Sequence, residues 1–434
     1  MNTNSLEALD IGVHARHPVR GERAFILLLV GFLLIFPKGG IKLAGVPVTW
    51  GYLALALAAF PFLLGVLSRQ SGGFTRVRLV PIALLLPFQL VVVLALLLNG
   101  SATLGFSISL VVTFFFLPLI FVLVLGFYLD GTDIEFVLRL VRIGVLAVAV
   151  YGIFLFVFKL QTGRFIEIPF LTVNAGDVGS LEDKFIDRGG IFKLISTYNN
   201  GNIYGVSLLI LLPLYAWLEP SLLAKSVVKL SLLLTLSRTV WVGLLLFELV
   251  HRLYVQRLSV RTLTVLLCSV LLFALGVWYA LDLMGRGGAF LLDRNLGGRI
   301  GQLASLESIS IFPVVEFAGI TEIVYLSVLY NFGLLGLVLF LVGLATPMIL
   351  HFLRVLPHGH TSYKRSLSAG LILYLVVAMS DGAILYIPVM AMYWFVVSLL
   401  LSNNIPGTVP ADLGKSLEQL PMGAARRRTS LAPT

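Results

Sequence analysis

The chain has 434 residues, of which 59% are hydrophobic and only 12% are charged. Soluble domains carry about 25% charged residues, so this composition excludes a water-soluble globule. It also excludes a disordered chain, which would be far more polar, and a disulfide scaffold, because Cys268 is the single cysteine. We therefore expect lipid to be the solvent for most of the chain.

Long apolar runs predict about twelve membrane spans, because a helix needs about 20 mostly apolar residues to cross the bilayer. The expected fold class is all-α, a polytopic membrane protein with one transmembrane domain over residues 1–434. Ser237 and Arg238 interrupt the apolar stretch from 222 to 253, which we divide into two spans. The predicted spans are 24–41, 47–67, 78–98, 105–128, 135–158, 201–219, 221–236, 238–254, 262–281, 320–350, 366–380 and 384–402.

The basic residues predict the orientation of these spans. With the N-terminus inside, 20 of the 31 Lys and Arg residues lie in inside segments. The positive-inside rule then places both termini in the cytoplasm, including the tail 403–434. The net charge of +10 does not predict a nucleic-acid partner, because the basic residues are dispersed along helix ends beside anionic lipid headgroups.

Two predicted outer loops, residues 159–200 and 282–319, are much longer than the other connections. Both are too polar to be spans, yet both contain many aromatic and aliphatic residues, such as Phe165 and Phe312. This mixture predicts loops that fold onto the membrane face with short helices. We expect these two loops to carry the function.

Arginines on the outer side need an explanation other than the positive-inside rule. Some could pair with loop acids such as Asp187 and Asp293, an interpretation that stays open for Arg164, Arg286 and Arg294. The alternative is recognition of an anion, because the guanidinium group offers a planar fork of donors that matches phosphate oxygens. The candidates for holding a diphosphate are Arg188, Arg238 and Arg299, and those for further substrate contact are Arg286 and Arg294.

Three asparagines stand at the start of the sixth predicted span, in Tyr198-Asn199-Asn200-Gly201-Asn202. Amides so close to hydrocarbon need hydrogen-bond partners. Capping of the helix is one explanation, and contact with a sugar or phosphate is the other. Both remain open, and Asn200 and Asn202 are candidates for substrate binding.

Glu322 opens the tenth predicted span, one turn before Tyr325. The carboxylate could merely stabilise the positive end of a helix, or it could accept a proton. Glu316 and Asp381 are the other outer acids, and we rank both below Glu322. Tyr325 and Asp381 are candidates for substrate contact.

Sequence motifs for nucleotide and metal binding are absent: the chain has no Walker loop, no G-x-G-x-x-G and no H-E-x-x-H. All six histidines fall in predicted cytoplasmic segments or at inner helix ends. We therefore expect a metal-independent reaction without a cofactor.

The order of these features resembles the O-antigen ligase and Wzy-type polymerase superfamily of bacterial envelope enzymes. The resemblance covers mainly residues 185–345, and each motif is weak alone. Its motifs are Arg188-x-Gly190-x-Phe192 before Asn199-Asn200-Gly201-Asn202, Leu236-Ser237-Arg238 with Trp241 and Gly243, Gly298-Arg299, Glu322-x-x-Tyr325-Leu326, and Gly333-Leu334-Leu335-Gly336-Leu337.

The resemblance implies a glycosyltransferase in the bacterial inner membrane whose active site faces the periplasm. It further implies a GT-C-like fold and an undecaprenyl-diphosphate-linked oligosaccharide as both donor and acceptor. The ligases of this superfamily, which transfer polymer to lipid A-core, carry a histidine where Glu322 stands. This departure favours a polymerase of O-antigen or exopolysaccharide, to which a chain-length regulator could bind. The ligase is kept as the alternative.

We expect Arg188, Arg238 and Arg299 to stabilise the departing diphosphate, while Glu322 deprotonates the acceptor hydroxyl. A flippase or transporter of lipid-linked sugars is the alternative of another class, because many transporters also have twelve spans. Transporters place their substrate sites near the midplane on interrupted helices, whereas the candidate residues here lie at one face.

Overall fold

The computed structural model describes residues 22–43, 46–67, 76–99, 104–179, 181, 192–255, 264, 271, 275, 309–312, 323–356, 361–381 and 387–406. The structure is mostly helical, and within the residues described five helices are long and apolar enough to cross a membrane. The chain is thus a multi-pass, predominantly helical membrane protein, as its composition predicted. These five helices are Val77–Asn99, Phe106–Gly131, Ile134–Thr162, Gly201–Leu218 and Val324–Phe352.

The helices follow one another with short connections over most of the described chain. The run α4 alternates between α-helical and π-helical turns, and α1 and α8 continue as the π-helical turns Gly31–Ile35 and His251–Val255. The bounds are α1 Glu22–Val30, α2 Trp50–Leu67, α3 Arg76–Asn99, α4 Leu104 to Gly131, α5 Ile134–Thr162, α6 Gly201–Leu218, α7 Leu222–Leu233, α8 Arg238–Val250, α9 Val324–Phe352, α10 Ser362–Asp381 and α11 Ile387–Leu401.

The first two predicted spans have the wrong boundaries. The helical turns that continue α1 end at Ile35, and α2 begins only at Trp50. Between them, the strands β1 (Gly40–Leu43) and β2 (Val46–Thr49) pair antiparallel, with Gly40 opposite Thr49. Proline and glycine continue a helix poorly, and the segment 36–40 contains one proline and two glycines. The apolar residues that follow form a hairpin instead of extending the spans.

The seventh predicted span, residues 221–236, contains a short helix. The helix α7 has 12 residues, which corresponds to a length of about 18 Å, against about 30 Å for the hydrocarbon core. The segment nevertheless returns the chain from the end of α6 to the level of its start, because the amide of Leu194 donates to the carbonyl oxygen of Leu234, just after α7, at 2.9 Å. The ninth predicted span, 262–281, lies outside the described residues apart from Thr264, Leu271 and Leu275.

Glycines bring α6, α8 and α10 into close contact. A Cβ atom built on Gly370 of α10 would overlap the carbonyl oxygen of Ile210 in α6, and one on Gly205 of α6 would overlap the side chain of Val240 in α8. Small residues allow membrane helices to approach closely and gain van der Waals contact. This packing places the starts of α6 and α8 beside the end of α10.

The helix α9 is broken at Gly333, whose φ of 71° and ψ of 178° are not helical. The amides of Leu334 and Leu335 instead donate to the carbonyl oxygens of Ser310 and Ile311, at 2.9 and 3.2 Å. A Cβ on Gly333 would lie 2.6 Å from the Ile311 oxygen. The break at Gly333 therefore holds residues 310 and 311, which belong to the second long loop, against α9.

The first long loop packs on the helices through the parts that the structure describes. The hydroxyl of Ser196 donates to the carbonyl of Val148 at 2.8 Å, and that of Tyr198 donates to the carbonyl of Leu34 at 3.1 Å. Residues Ser196–Tyr198 form a buried 3-10 turn. Residues 192–200 therefore run along the bundle and lead directly into α6.

At the end of the bundle opposite the start of α6, basic residues are bound by specific acceptors. Arg142 pairs with Glu219 at 2.8 Å. The ammonium group of Lys364, which is fully buried, donates to the carbonyl oxygens of Leu399, Leu400 and Ser402. Lys364 thereby satisfies the last carbonyls of α11, which have no partner inside the helix.

We expect Gly370→Ala to destabilise the protein, because the added methyl group would force α6 and α10 apart. Overpacking of this kind costs about 1–3 kcal/mol. The matched control is Gly31→Ala, since a Cβ at Gly31 meets nothing within 4 Å. The thermal unfolding midpoints of both variants in detergent would be compared with that of the parent chain. Equal midpoints for all three proteins would contradict the close packing of α6 and α10.

Candidate functional site

Polar side chains from three helices meet where α6 and α8 begin and α10 ends. The amide nitrogen Nδ2 of Asn202 donates to Oδ2 of Asp381 at 2.5 Å. One residue before Asp381, the hydroxyl group of Ser380 is hydrogen-bonded to that of Thr239 at 3.0 Å. We call the following residues the Asp381 cluster: Lys193, Asn202, Arg238, Thr239, Ser380 and Asp381.

The carboxylate of Asp381 is buried and hydrogen-bonded. Asp381 is the last residue of α10 and is 3% exposed. The negative end of α10 disfavours a carboxylate there, whereas the positive end of α6 and the amide of Asn202 stabilise it. The amide oxygen of Asn202 accepts in turn from Nζ of Lys193 at 3.1 Å. Asn202 thus links a cation to a buried acid.

Arg238 is the first residue of α8 and is half-buried. A cation at the positive end of a helix is unfavourable unless an anion lies near. Thr239, the residue after Arg238, is hydrogen-bonded to Ser380, the residue before Asp381. Arg238 and Asp381 are therefore each one residue away from this hydrogen bond. Lys193 and Arg238 bring two positive charges to the cluster against the one carboxylate of Asp381, and this balance suits an anionic group.

Asn200 caps α6. Its side-chain oxygen accepts from the backbone amides of Asn202 and Ile203 at 2.8 and 3.2 Å. Of the two explanations for this residue, the structure supports capping, and the side chain is also exposed. The amide group of Asn199 donates to the carbonyl of Thr172 at 2.8 Å and so joins the two described parts of the first loop.

Tyr325 connects the start of α9 to α10. Its hydroxyl group donates to the carbonyl oxygen of Leu375, six residues before Asp381, and its ring lies 6.4 Å from that of Phe340. This contact places the first turn of α9 near the same end of the bundle as the Asp381 cluster. The hydroxyl is therefore engaged by the protein itself.

The predicted site residues divide into those that the structure brings together and those that it does not describe. Asn202, Arg238 and Asp381 belong to one cluster, Asn200 caps the helix α6 that supplies Asn202, and Tyr325 on α9 contacts α10 six residues before Asp381. The predicted residues outside the described part of the chain are Arg188, Arg286, Arg294, Arg299 and Glu322.

Lys193, Thr239 and Ser380 were missed by the sequence reasoning. Lys193 is a basic residue in a predicted outer loop, but only the arginines of these loops were considered as candidates for binding an anion. Thr239 and Ser380 stand 141 positions apart, and no local pattern indicates that they touch. In the described part of the chain, no group of three or more His, Cys, Asp and Glu residues is placed to hold a metal ion.

Comparison with known proteins assigns no relative: no protein-family model, no curated protein and no solved structure matches the chain.

We expect Asn200→Ala to destabilise the protein and Asn200→Asp to leave it nearly as stable as the parent. Both results follow from capping, because Asp keeps the acceptor oxygen and Ala removes it. Loss of an N-cap costs about 0.5–2 kcal/mol. Thermal unfolding in detergent would measure the difference, and equal losses for Ala and Asp would show that the side chain acts through its amide nitrogen instead.

Proposed function

We propose that the chain is a Wzy-type polymerase of a bacterial surface polysaccharide. It transfers the growing glycan from undecaprenyl diphosphate to the incoming lipid-linked repeat unit. The observation that carries this proposal is the Asp381 cluster, in which Asn202 links Lys193 to a buried carboxylate and the residue after Arg238 is hydrogen-bonded to the residue before Asp381. A carrier lipid with a diphosphate headgroup needs such a cationic site at the edge of the bilayer.

The diphosphate is the leaving group of the proposed reaction. As the bond between the anomeric carbon and the diphosphate oxygen breaks, negative charge grows on the leaving group. Preplaced donors stabilise this charge without reorganisation, which is worth several kcal/mol in a site that excludes water. Arg238 is the described residue for this role, and Lys193 can assist it. Arg188 and Arg299 complete the clamp in the proposal.

The acceptor hydroxyl must lose its proton as its oxygen attacks the anomeric carbon. We propose that Glu322 accepts this proton. A carboxylate is an adequate base when its pKa is raised by its surroundings. Tyr325, three residues later, holds the start of α9 against α10. Asp381 is a positioning residue in this scheme, because its carboxylate is buried and already accepts from Asn202.

The site faces the periplasm in this proposal, and the protein lies in the inner membrane with both termini in the cytoplasm. The distribution of basic residues supports this orientation. Arg142 and Lys364 lie at the end of the bundle opposite the Asp381 cluster, which is the end that the positive-inside rule assigns to the cytoplasm.

Polymerisation by the purified protein in liposomes would test the role of Arg238. The substrate is the lipid-linked repeat unit extracted from a strain that lacks this chain. We expect Arg238→Ala to slow chain growth on the order of a hundredfold or more, because it removes a donor to the leaving group. Arg164→Ala is the matched control, since Arg164 is exposed in the first loop. Normal chain growth by Arg238→Ala would overturn the diphosphate clamp.

The same assay separates the two acids. Glu322→Gln should abolish chain growth, because glutamine cannot accept the proton. Asp381→Asn should retain part of it, because an amide oxygen can still accept from Asn202. The opposite ranking, with Asp381→Asn inactive and Glu322→Gln active, would transfer the role of base to Asp381.

A transporter or flippase is the second candidate, and the break in α9 favours it. Discontinuous helices form the substrate sites of many transporters, and Gly333 interrupts α9 well inside a predicted span. We expect liposomes that contain the protein to elongate the glycan without net movement of repeat units across the bilayer. Movement of a fluorescent lipid-linked unit without chain growth would instead identify a transporter.

A further inference from the structure

The first long loop contains a turn in a strained conformation. Phe170 has a φ of 66°, in the left-handed region that bulky side chains rarely adopt. Such strain persists only where the surrounding contacts impose it, and it is a reason to look for a function. We call residues 168–171 the Phe170 turn.

Several contacts impose this conformation. The amide of Thr172 donates to the carbonyl of Ile168 at 2.9 Å, and Nε1 of Trp50 donates to the carbonyl of Phe170 at 2.7 Å. At Gly39, a Cβ would lie 2.5 Å from the carbonyl oxygen of Leu171. Gly39, the residue before β1, and Trp50, the first residue of α2, therefore contact the backbone of the turn. Its side chains lie outside these contacts.

The side chains of the Phe170 turn are apolar and exposed. The exposed fractions are 39% for Ile168, 49% for Phe170 and 36% for Leu171. In water, this arrangement would combine a strained backbone with unburied apolar surface. Neighbouring exposed apolar side chains of this kind mark a contact surface for lipid or for another protein.

Lipid is the partner that the surroundings favour. Trp50, which holds the turn, begins α2, whose residues Leu57 and Phe60 are 74% and 66% exposed. The helix α5 leads into the loop and exposes Leu160 by 54% close to its end. Tryptophan is typical of the boundary between hydrocarbon and headgroups. The Phe170 turn thus continues two lipid-facing helix surfaces at that boundary.

We propose that the Phe170 turn is an interfacial anchor, which inserts Ile168, Phe170 and Leu171 into the boundary between headgroups and acyl chains. The anchor holds the first loop at the membrane surface. Through the hydrogen bond between Asn199 and Thr172, it also holds the segment that supplies Lys193 to the Asp381 cluster. This inference does not depend on the proposed enzymatic activity.

Site-directed fluorescence in liposomes tests the anchor. The single cysteine is replaced by Cys268→Ser, and Phe170→Cys is then labelled with the polarity-sensitive dye NBD in the full chain. Ile168→Cys is a second probe of the same turn, in case the first variant does not fold. Arg164→Cys is the control, because Arg164 is exposed in the same loop. The liposomes contain only phosphatidylcholine and phosphatidylglycerol, with or without a doxyl quencher at carbon 5 of the acyl chain.

We expect the dye at position 170 or 168 to emit at shorter wavelength than at position 164, and to lose more intensity when the quencher is present. Emission typical of water and equal quenching at all three positions would overturn the anchor. Since these liposomes contain no other protein, that result would exclude lipid as the partner of the turn.

Discussion

The buried carboxylate of Asp381 imposes the constraint on which the candidate site depends. A charge so close to hydrocarbon must be met by donors or by an opposite charge, and Asn202 supplies a donor from α6. Because Asn202 also accepts from Lys193, the end of α10, the start of α6 and the end of the first loop are joined in one network. The contact between Thr239 and Ser380 adds the start of α8. The glycines at 205 and 370 make this convergence possible, since they let the three helices approach closely.

A second constraint explains the irregular parts of the fold. Backbone groups within the bilayer need partners inside the protein, and the two amides freed by the break at Gly333 are satisfied by carbonyls of residues 310 and 311. The same principle applies to Lys364, which satisfies the last carbonyls of α11. Residues 310 and 311 and the side chain of Lys364 therefore supply hydrogen-bond partners to backbone groups that lack one within their own helix.

The helices were largely predictable from hydropathy, and the contacts between them were not. Runs of about 20 apolar residues identified α3, α5 and α6, and polarity at the edges of spans singled out Arg238 and Asp381. The hairpin was missed because hydropathy predicts where spans lie but not what structure the chain forms between them. The break at Gly333 was missed because the glycine stands between Phe332 and Leu334 in a segment whose hydropathy is that of a span. Its conformation depends on a loop segment that sequence pattern cannot place.

The central claim is that the Asp381 cluster serves the polymerisation of a lipid-linked glycan. The most direct measurement is the glycan profile of a bacterium from which this chain has been deleted. The account predicts surface lipid that carries a single repeat unit, because repeat units are made but not joined. Polymer of normal length on the surface would contradict it, and long polymer left on the carrier lipid would identify a ligase instead.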